Sequence, residues 1–214
     1  YTIYNPNAAG ITEEDRFGKR MSMSGRYLTI DSTDQYDDDS LIFTTGKDRT
    51  YIYDLTNGNI VYRVDDPSNS TTVHDTEFND FKLFIGCPTA DNNSRDRDGA
   101  IYAFDIPTTS DWPNSTLLHQ FDNPNPLGTS EGDNYGGTVA LSNNLAIVSA
   151  KHESDAGGLN SGKVYVYDVS DTTSSSLKYT ISNPNAYSAS AGDQFGVSVA
   201  IDGDFAIIGA PFED

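Results

Sequence analysis

Cysteine is nearly missing from these 214 residues, and Cys87 stands alone. A single thiol makes no internal disulfide and no Cys-based zinc site. Beside Gly86 in an apolar run, Cys87 reads as a small buried residue. Basic residues are scarce as well, with 13 Lys and Arg against 32 Asp and Glu, for a net charge of −19. That balance disfavours nucleic acid and anionic membranes as partners. It leaves divalent cations, cationic surfaces and neutral glycans open, and it suits a salty medium where charge is screened. Long apolar runs are also lacking. No stretch reads as a transmembrane span, a secretory leader or the 3.6-residue stripe of a long helix. What abounds is Gly, Ser, Thr, Asn, Asp and Tyr, the mix of many short strands joined by turns.

Proline measures out a repeat. "YTIYNPN" holds Pro6, "YRVDDP" Pro67, "HQFDNPN" Pro124 and "YTISNPN" Pro184, so the intervals are 61, 57 and 60 residues. Each proline follows a short apolar alternation, as at the end of a strand. "TYIYD" at 50–54, "IYAFD" at 101–105 and "VYVYD" at 164–168 keep the same phase. So do "DRFG" at 15–18, "DNYG" at 133–136 and "DQFG" at 193–196. Three marks in phase at about 60 residues define a repeat.

The third copy predicts four strands, "TVALS" at 138–142, "LAIVSA" at 145–150, "KVYVYDV" at 163–169 and "LKYTISN" at 177–183. Asn143 and Asn144 part the first two, where Gly203 and Asp204 or Gly25 and Arg26 stand in other copies. These are hairpin signals. Strand one carries small residues (Gly136, Thr138, Ala140; Gly196, Ser198, Ala200), as crowding around an axis requires. Strand three alternates rings with aliphatics, as in Tyr165, Val166 and Tyr167, which fits a strand covered on both faces. An all-β fold is expected, a β-propeller of four-stranded antiparallel blades. Blades fall at about 15–67, 70–124 and 133–184, with partial blades at 1–7 and 193–214. The second copy is degenerate, since "STTVHDTEFND" lacks the aromatic–Gly pair. The 214 residues read as one window on a longer propeller of about seven blades.

At this point the chain resembles the FG-GAP repeat family, a propeller repeat also found in integrin alpha subunits. The resemblance rests on Phe17–Gly18, Tyr135–Gly136 and Phe195–Gly196, and on Gly209–Ala210–Pro211 with Gly86–Cys87–Pro88 and Ser149–Ala150–Lys151 as variants. The wording of 132–169 and 183–196 is similar to repeat arrays in virion structural proteins of marine tailed phages. The integrin version joins strands one and two by an Asp-rich calcium loop. Here that place holds only "SGR" at 24–26, "NN" at 143–144 and "DGD" at 202–204, too short to offer the six or more oxygens calcium prefers. The family's calcium sites therefore do not carry over.

Blade geometry places the strand 2–3 loops and the blade links at one end. That end is long and acidic in "DSTDQYDDDSLIFTTGKD" at 31–48 and "TADNNSRDRDG" at 89–99. Loops on a rigid scaffold are the usual place for binding. Asp37, Asp38 and Asp39 form one candidate cation cluster. Asp96 and Asp98 before Gly99 form half of an EF-hand-like loop without its distal Glu. Trp112, the sole tryptophan, is a candidate ligand contact on an outer turn. His74, His119 and His152 lie in different repeats at no metal-ligand spacing, and no GxSxG or phosphate-cradling loop occurs.

These readings point to a non-enzymatic structural or adhesive propeller on a virion or extracellular surface. A phage fibre, tail-associated or capsid-surface protein fits. Its partners would be proteins of a surface assembly or cell-surface glycans, with no cofactor beyond an occasional calcium ion. The alternatives are a carbohydrate-active hydrolase and a calcium-stabilised secreted adhesion module.

Overall fold

The structure, a computed structural model, describes residues 2–6, 16–35, 47–68, 75–90, 98–106, 116–124, 132–154, 158–174, 176–184 and 192–213. No helix occurs among them. The first sheet joins β1 (Met21–Ser24), β2 (Tyr27–Gln35), β3 (Lys47–Asp54) and β4 (Asn59–Asp65) in that order. The second joins β5 (Asp75–Asn79), β6 (Lys82–Cys87), β7 (Ala100–Asp105) and β8 (Thr116–Asp122). The third joins β9 (Tyr135–Ser142), β10 (Leu145–Ala150), β11 (Lys163–Asp168) and β12 (Ser176–Ser182). The last holds β13 (Ser198–Asp202) and β14 (Phe205–Gly209). All pairing is antiparallel between consecutive strands.

These sheets are propeller-type blades, called A to D below. Their first strands, β1, β5, β9 and β13, neighbour one another in succession, as strands around a common axis do. Each strand one turns into strand two through two residues: Gly25–Arg26, Asp80–Phe81, Asn143–Asn144 and Gly203–Asp204. Positive φ at Gly25, Asp80, Phe81, Asn143 and Gly203 fits the primed turns that match strand twist. Phe81 is a bulky residue in this strained region, and its ring is held edge-on by Tyr27 of blade A, 5.7 Å between centroids.

Registers repeat as well. Strands three and four slip by one residue between Ile52 and Tyr53, Ala103 and Phe104, and Val166 and Tyr167, the same place in three blades. The Asp closing strand three stops it by a local turn. Asp54 Oδ1 accepts the Thr56 N–H at 2.9 Å and Asp168 Oδ1 the Ser170 N–H at 3.0 Å. β9 begins at Tyr135, three residues before the predicted Thr138, because a register shift between Val148 and Ala150 lets Tyr135 rejoin the ladder. Residues 2–5 resemble strand four in sequence but take part in no ladder among the described residues.

Apolar cores lie between blades. Ile52, Tyr62 and Val64 of blade A meet Phe78, Leu83, Ile85 and Tyr102 of blade B. Phe84, Ile101, Ala103 and Phe121 of blade B meet Val139, Leu141, Val148 and Tyr165 of blade C. Ile147, Val164 and Val166 of blade C meet Phe195, Val199, Ile201 and Ile208. Every complete blade thus has a leading and a trailing apolar face, which explains why both faces of strand three are apolar. Cys87 is buried in the first of these cores.

Two glycines let the backbones touch. Gly99 and Gly162 occupy the same place before strand three, both at φ +84°. A Cβ on Gly162 would lie 2.2 Å from the Phe195 carbonyl oxygen, and one on Gly99 2.0 Å from that of Tyr135. Gly203 also has positive φ, +56°, but nothing stands within 4 Å of its Cβ position. Gly162→Ala is therefore expected to destabilise by about 2–5 kcal/mol, backbone strain plus overpacking, and Gly203→Ala by only about 1–2 kcal/mol. Urea unfolding of both variants checks this, and equal losses would refute the steric argument.

Candidate functional site

The aromatic–Gly pair opening a blade is stitched to the loop of the blade before it. The Gly192 N–H donates to the Leu159 carbonyl at 3.0 Å, Gln194 to Asn160 at 3.2 Å and Phe195 to Ser161 at 3.0 Å. The link clamps itself beforehand: Asn183 Nδ2 donates to Asp193 Oδ2, and Asn123 Nδ2 to Asp133 Oδ2, each at 2.9 Å. These bonds explain why Asn-Pro and Asp recur ten residues apart. Strand 2–3 loops and blade links therefore do share one end.

Behind the stitch, Glu153 is fully buried. Its Oε1 accepts from Lys163 Nζ at 2.8 Å and its Oε2 from the Tyr165 hydroxyl. Blade B holds Ala90 and Ala100 where blade C holds Glu153 and Lys163, so acid and base are lost together. A lone buried charge would be costly, while the pair is tolerable.

Between blades A and B the chemistry changes. Asp31 stands where the other blades carry Gly86, Ser149 and Gly209. Its two carboxylate oxygens accept from Thr50 Oγ1 of its own blade and Thr76 Oγ1 of the next, both at 2.8 Å. Asp75 reaches two neighbours. Its Oδ1 lies 3.8 Å from Arg20 Nε of blade A, and its Oδ2 accepts the Val139 N–H of blade C at 2.9 Å. Glu77 accepts from Ser22 Oγ of blade A at 2.9 Å. Polar links continue along the axis, where Thr138 Oγ1 donates to the Gly196 carbonyl at 3.1 Å.

Burial sets the charge state of this group. Desolvation pushes Asp31 up to about 7 against the pull of its threonine hydrogen bonds and Arg20. It pushes Glu77 up to about 7 against the Ser22 bond, and it raises Asp75 too. Asp66, which replaces the link asparagine in this junction, rises to about 6 and accepts from the Ser68 N–H and hydroxyl.

The residues singled out in the sequence fall elsewhere. Asp37, Asp38, Asp39, Asp96, Trp112 and His74 lie outside the described residues. Asp98 is buried at the foot of its loop, directly before Gly99. Among the described residues, no group of three or more His, Cys, Asp and Glu is arranged to hold a metal ion. His119 is half-buried on β8, edge-on to Phe121 with centroids 4.7 Å apart. His152 is half-buried in its loop, its N–H donating to the Asp133 carbonyl, and desolvation lowers its pKa. The sequence puts Asp31 in the loop at 31–48, whereas β2 continues through it to Gln35; Asp75 and Glu77 sit inside β5, where nothing local marks them. Setting "DST" at 31–33 beside "GCP" and "GAP" would have found the first.

An acid with a folded pKa raised to about 7 keeps a proton that the unfolded chain releases near 4. Stability then falls as pH rises between about 4 and about 7 and levels off above. Urea midpoints should be higher near pH 5 than near pH 8, and Asp31→Asn should narrow that gap. An unchanged gap would remove Asp31 from the cause.

The profile of the FG-GAP repeat family matches residues 126–167 and 185–214. No curated protein matches the chain. Among solved structures, the β-propeller domain of Cps50 (Swd1) from Myceliophteria thermophila is similar at 18% identity and a TM-score of 0.42, over 83% of this chain and 43% of that one. A hypothetical selenium-binding protein from Sulfolobus tokodaii is similar at 12% identity and a TM-score of 0.45, over 82% and 41%. The chain spans less than half the length of either. The stretches similar to the FG-GAP repeat fall on blades C and D, whose described residues form antiparallel sheets of propeller type.

Proposed function

We propose that this chain is a non-enzymatic structural and adhesive propeller of a virion or extracellular surface. A phage fibre, tail-associated or capsid-surface protein is the setting its repeat wording resembles. The reading is carried by one observation: the acids at the blade junctions spend their oxygens on hydrogen bonds within the scaffold. Asp31, Asp75, Glu77 and Glu153 each accept hydrogen bonds across or beside a blade junction. They serve the scaffold, and the scaffold delivers its loops and links to one end. Acidic, differently worded loops there suit protein partners of a surface assembly or cell-surface glycans. Calcium is not required for the strand 1–2 turns, which close through two residues. No helix among the described residues is long and apolar enough to cross a membrane.

Glycan and surface-protein arrays test this with the purified chain. Saturable binding is expected, lost when residues 36–46 are replaced by a Gly-Ser linker while the melting temperature holds. Release of reducing sugar from the bound glycans would instead make the chain a hydrolase and overturn the reading.

A further inference from the structure

One buried pair in blade C is arranged for more than an ion pair. Lys163 opens β11 and pairs with Ala150, the last residue of β10. The chain turns there, and the Ala150 carbonyl accepts the Glu153 N–H at 3.0 Å. The Glu153 carbonyl in turn accepts the N–H of Gly162, the residue before the lysine, at 3.0 Å. Backbone hydrogen bonds on both sides thus fix where the two side chains leave the chain. Their ends meet, with Lys163 Nζ 2.8 Å from Glu153 Oε1. Glu153 is 1% exposed, Lys163 7% and the adjoining Tyr165 1%.

Three features of this site favour condensation of the amine with the acid. The first is approach. A nitrogen in hydrogen-bond contact with one carboxylate oxygen stands within reach of the carboxyl carbon, and a held geometry of this kind replaces a bimolecular encounter. The second is polarisation. The Tyr165 hydroxyl donates to Oε2, the oxygen on which negative charge develops when the carbon is attacked. Burial pushes this hydroxyl well above its ordinary pKa, so it keeps the proton it donates. The third is desolvation. Two buried charges carry a cost that one neutral amide does not, and the same burial keeps water from reversing the step. The blade itself does not need the pair, since blade B makes the same two backbone bonds with Ala90 and Ala100 in these places.

We propose that Lys163 and Glu153 become joined by an isopeptide bond, formed by the folded chain on its own. The lysine ammonium first passes one proton to the carboxylate, leaving a neutral amine beside a neutral acid. Nζ then attacks Cδ, so the Nζ–Cδ bond forms and the Cδ–Oε1 bond breaks. Oε1 departs as water with two of the three ammonium protons, and the amide nitrogen keeps the third. Oε2 becomes the amide carbonyl and still accepts from Tyr165. The step is redox-neutral and needs no co-reactant. It closes residues 153–163 into a covalent ring. That loop offers the Leu159, Asn160 and Ser161 carbonyls to the link of blade D, so the cross-link fixes the seat of the next blade. The inference stands apart from what the loops bind.

Intact-mass spectrometry tests it with the chain as it is. The purified chain should weigh one water less than its sequence and keep that mass in urea. Peptide mapping should yield a branched peptide that joins Glu153 to Lys163. Lys163→Arg keeps a cation beside Glu153 but should run at full sequence mass. Tyr165→Phe should form the bond about a hundredfold more slowly, so newly made protein shows both masses. A parent chain at full sequence mass, even after prolonged incubation in the folded state, would overturn the proposal. So would a loss of water that the map places elsewhere, such as a succinimide at Asp202–Gly203, or one that persists in Lys163→Arg.

Discussion

The blades depend on one close approach. The backbone before strand three of one blade lies against the backbone of the aromatic–Gly pair opening the next. Gly162 allows it at Phe195 and Gly99 at Tyr135, since a side chain in either place would overlap a peptide group. Once the backbones touch, the Gly192, Gln194 and Phe195 N–H groups find carbonyls in the preceding loop. The aromatic side chain then has one place to go, the core between the blades. Phe195 joins Val164 and Val166, and Tyr135 stacks edge-on to Tyr165 while its hydroxyl bonds that of Tyr167. Glycine, aromatic ring and Asn–Asp clamp thus form one device, and the repeat of about 60 residues is its period.

Blades A and B meet without that device in its full form, and the difference is physical. Where the other blades place Gly or Ser at the end of strand two, Asp31 fills the space with a carboxylate. A buried carboxylate is tolerable only if its oxygens are bonded, and Thr50 and Thr76 supply those bonds from two blades. The contact is directional but depends on protonation. Asp75 and Glu77 add two more acids near one arginine; desolvation raises the pKa of all three, and the charge of Asp75 adds to the rise at Asp31 and Glu77.

Much of this was legible in the sequence. Proline spacing, the aromatic–Gly pairs and the strand-three runs ending in Asp mark out four-stranded antiparallel blades of propeller type, and Gly25, Asn143 and Gly203 mark their two-residue turns, because each reports a local backbone need. Asp54 and Asp168 show that even the final Asp of the strand-three run has a local task. Three things were not legible. The slip between strands three and four depends on cross-strand register, which no single strand encodes. The Asn123–Asp133 clamp joins residues whose marks were visible but whose contact needs the folded link. The sequence places Asp31 at the head of a loop at 31–48, but β2 runs on to Gln35, and the contacts of Asp75 and Glu77 come from the neighbouring blades and not from their own alternation. The candidate acids read from the sequence were loop residues. The one described among them, Asp98, is buried beside the glycine that permits blade contact.

Scaffold and loops are therefore separable in chemistry. Junction residues are glycine, aromatics and acids with bonded oxygens, and a change in any of them disturbs two blades at once. The loops start and finish at those junctions, so their ends are fixed by backbone hydrogen bonds while their middles are free to differ in length and charge. This is why the second repeat can lose its aromatic–Gly pair and still fold. Phe78 and Phe81 of blade B pack on Tyr27 of blade A, so aromatic contact survives with the rings moved to the first hairpin. A scaffold that tolerates such a substitution constrains its loops only at their feet. Loop sequence can then change without moving the blades beneath it.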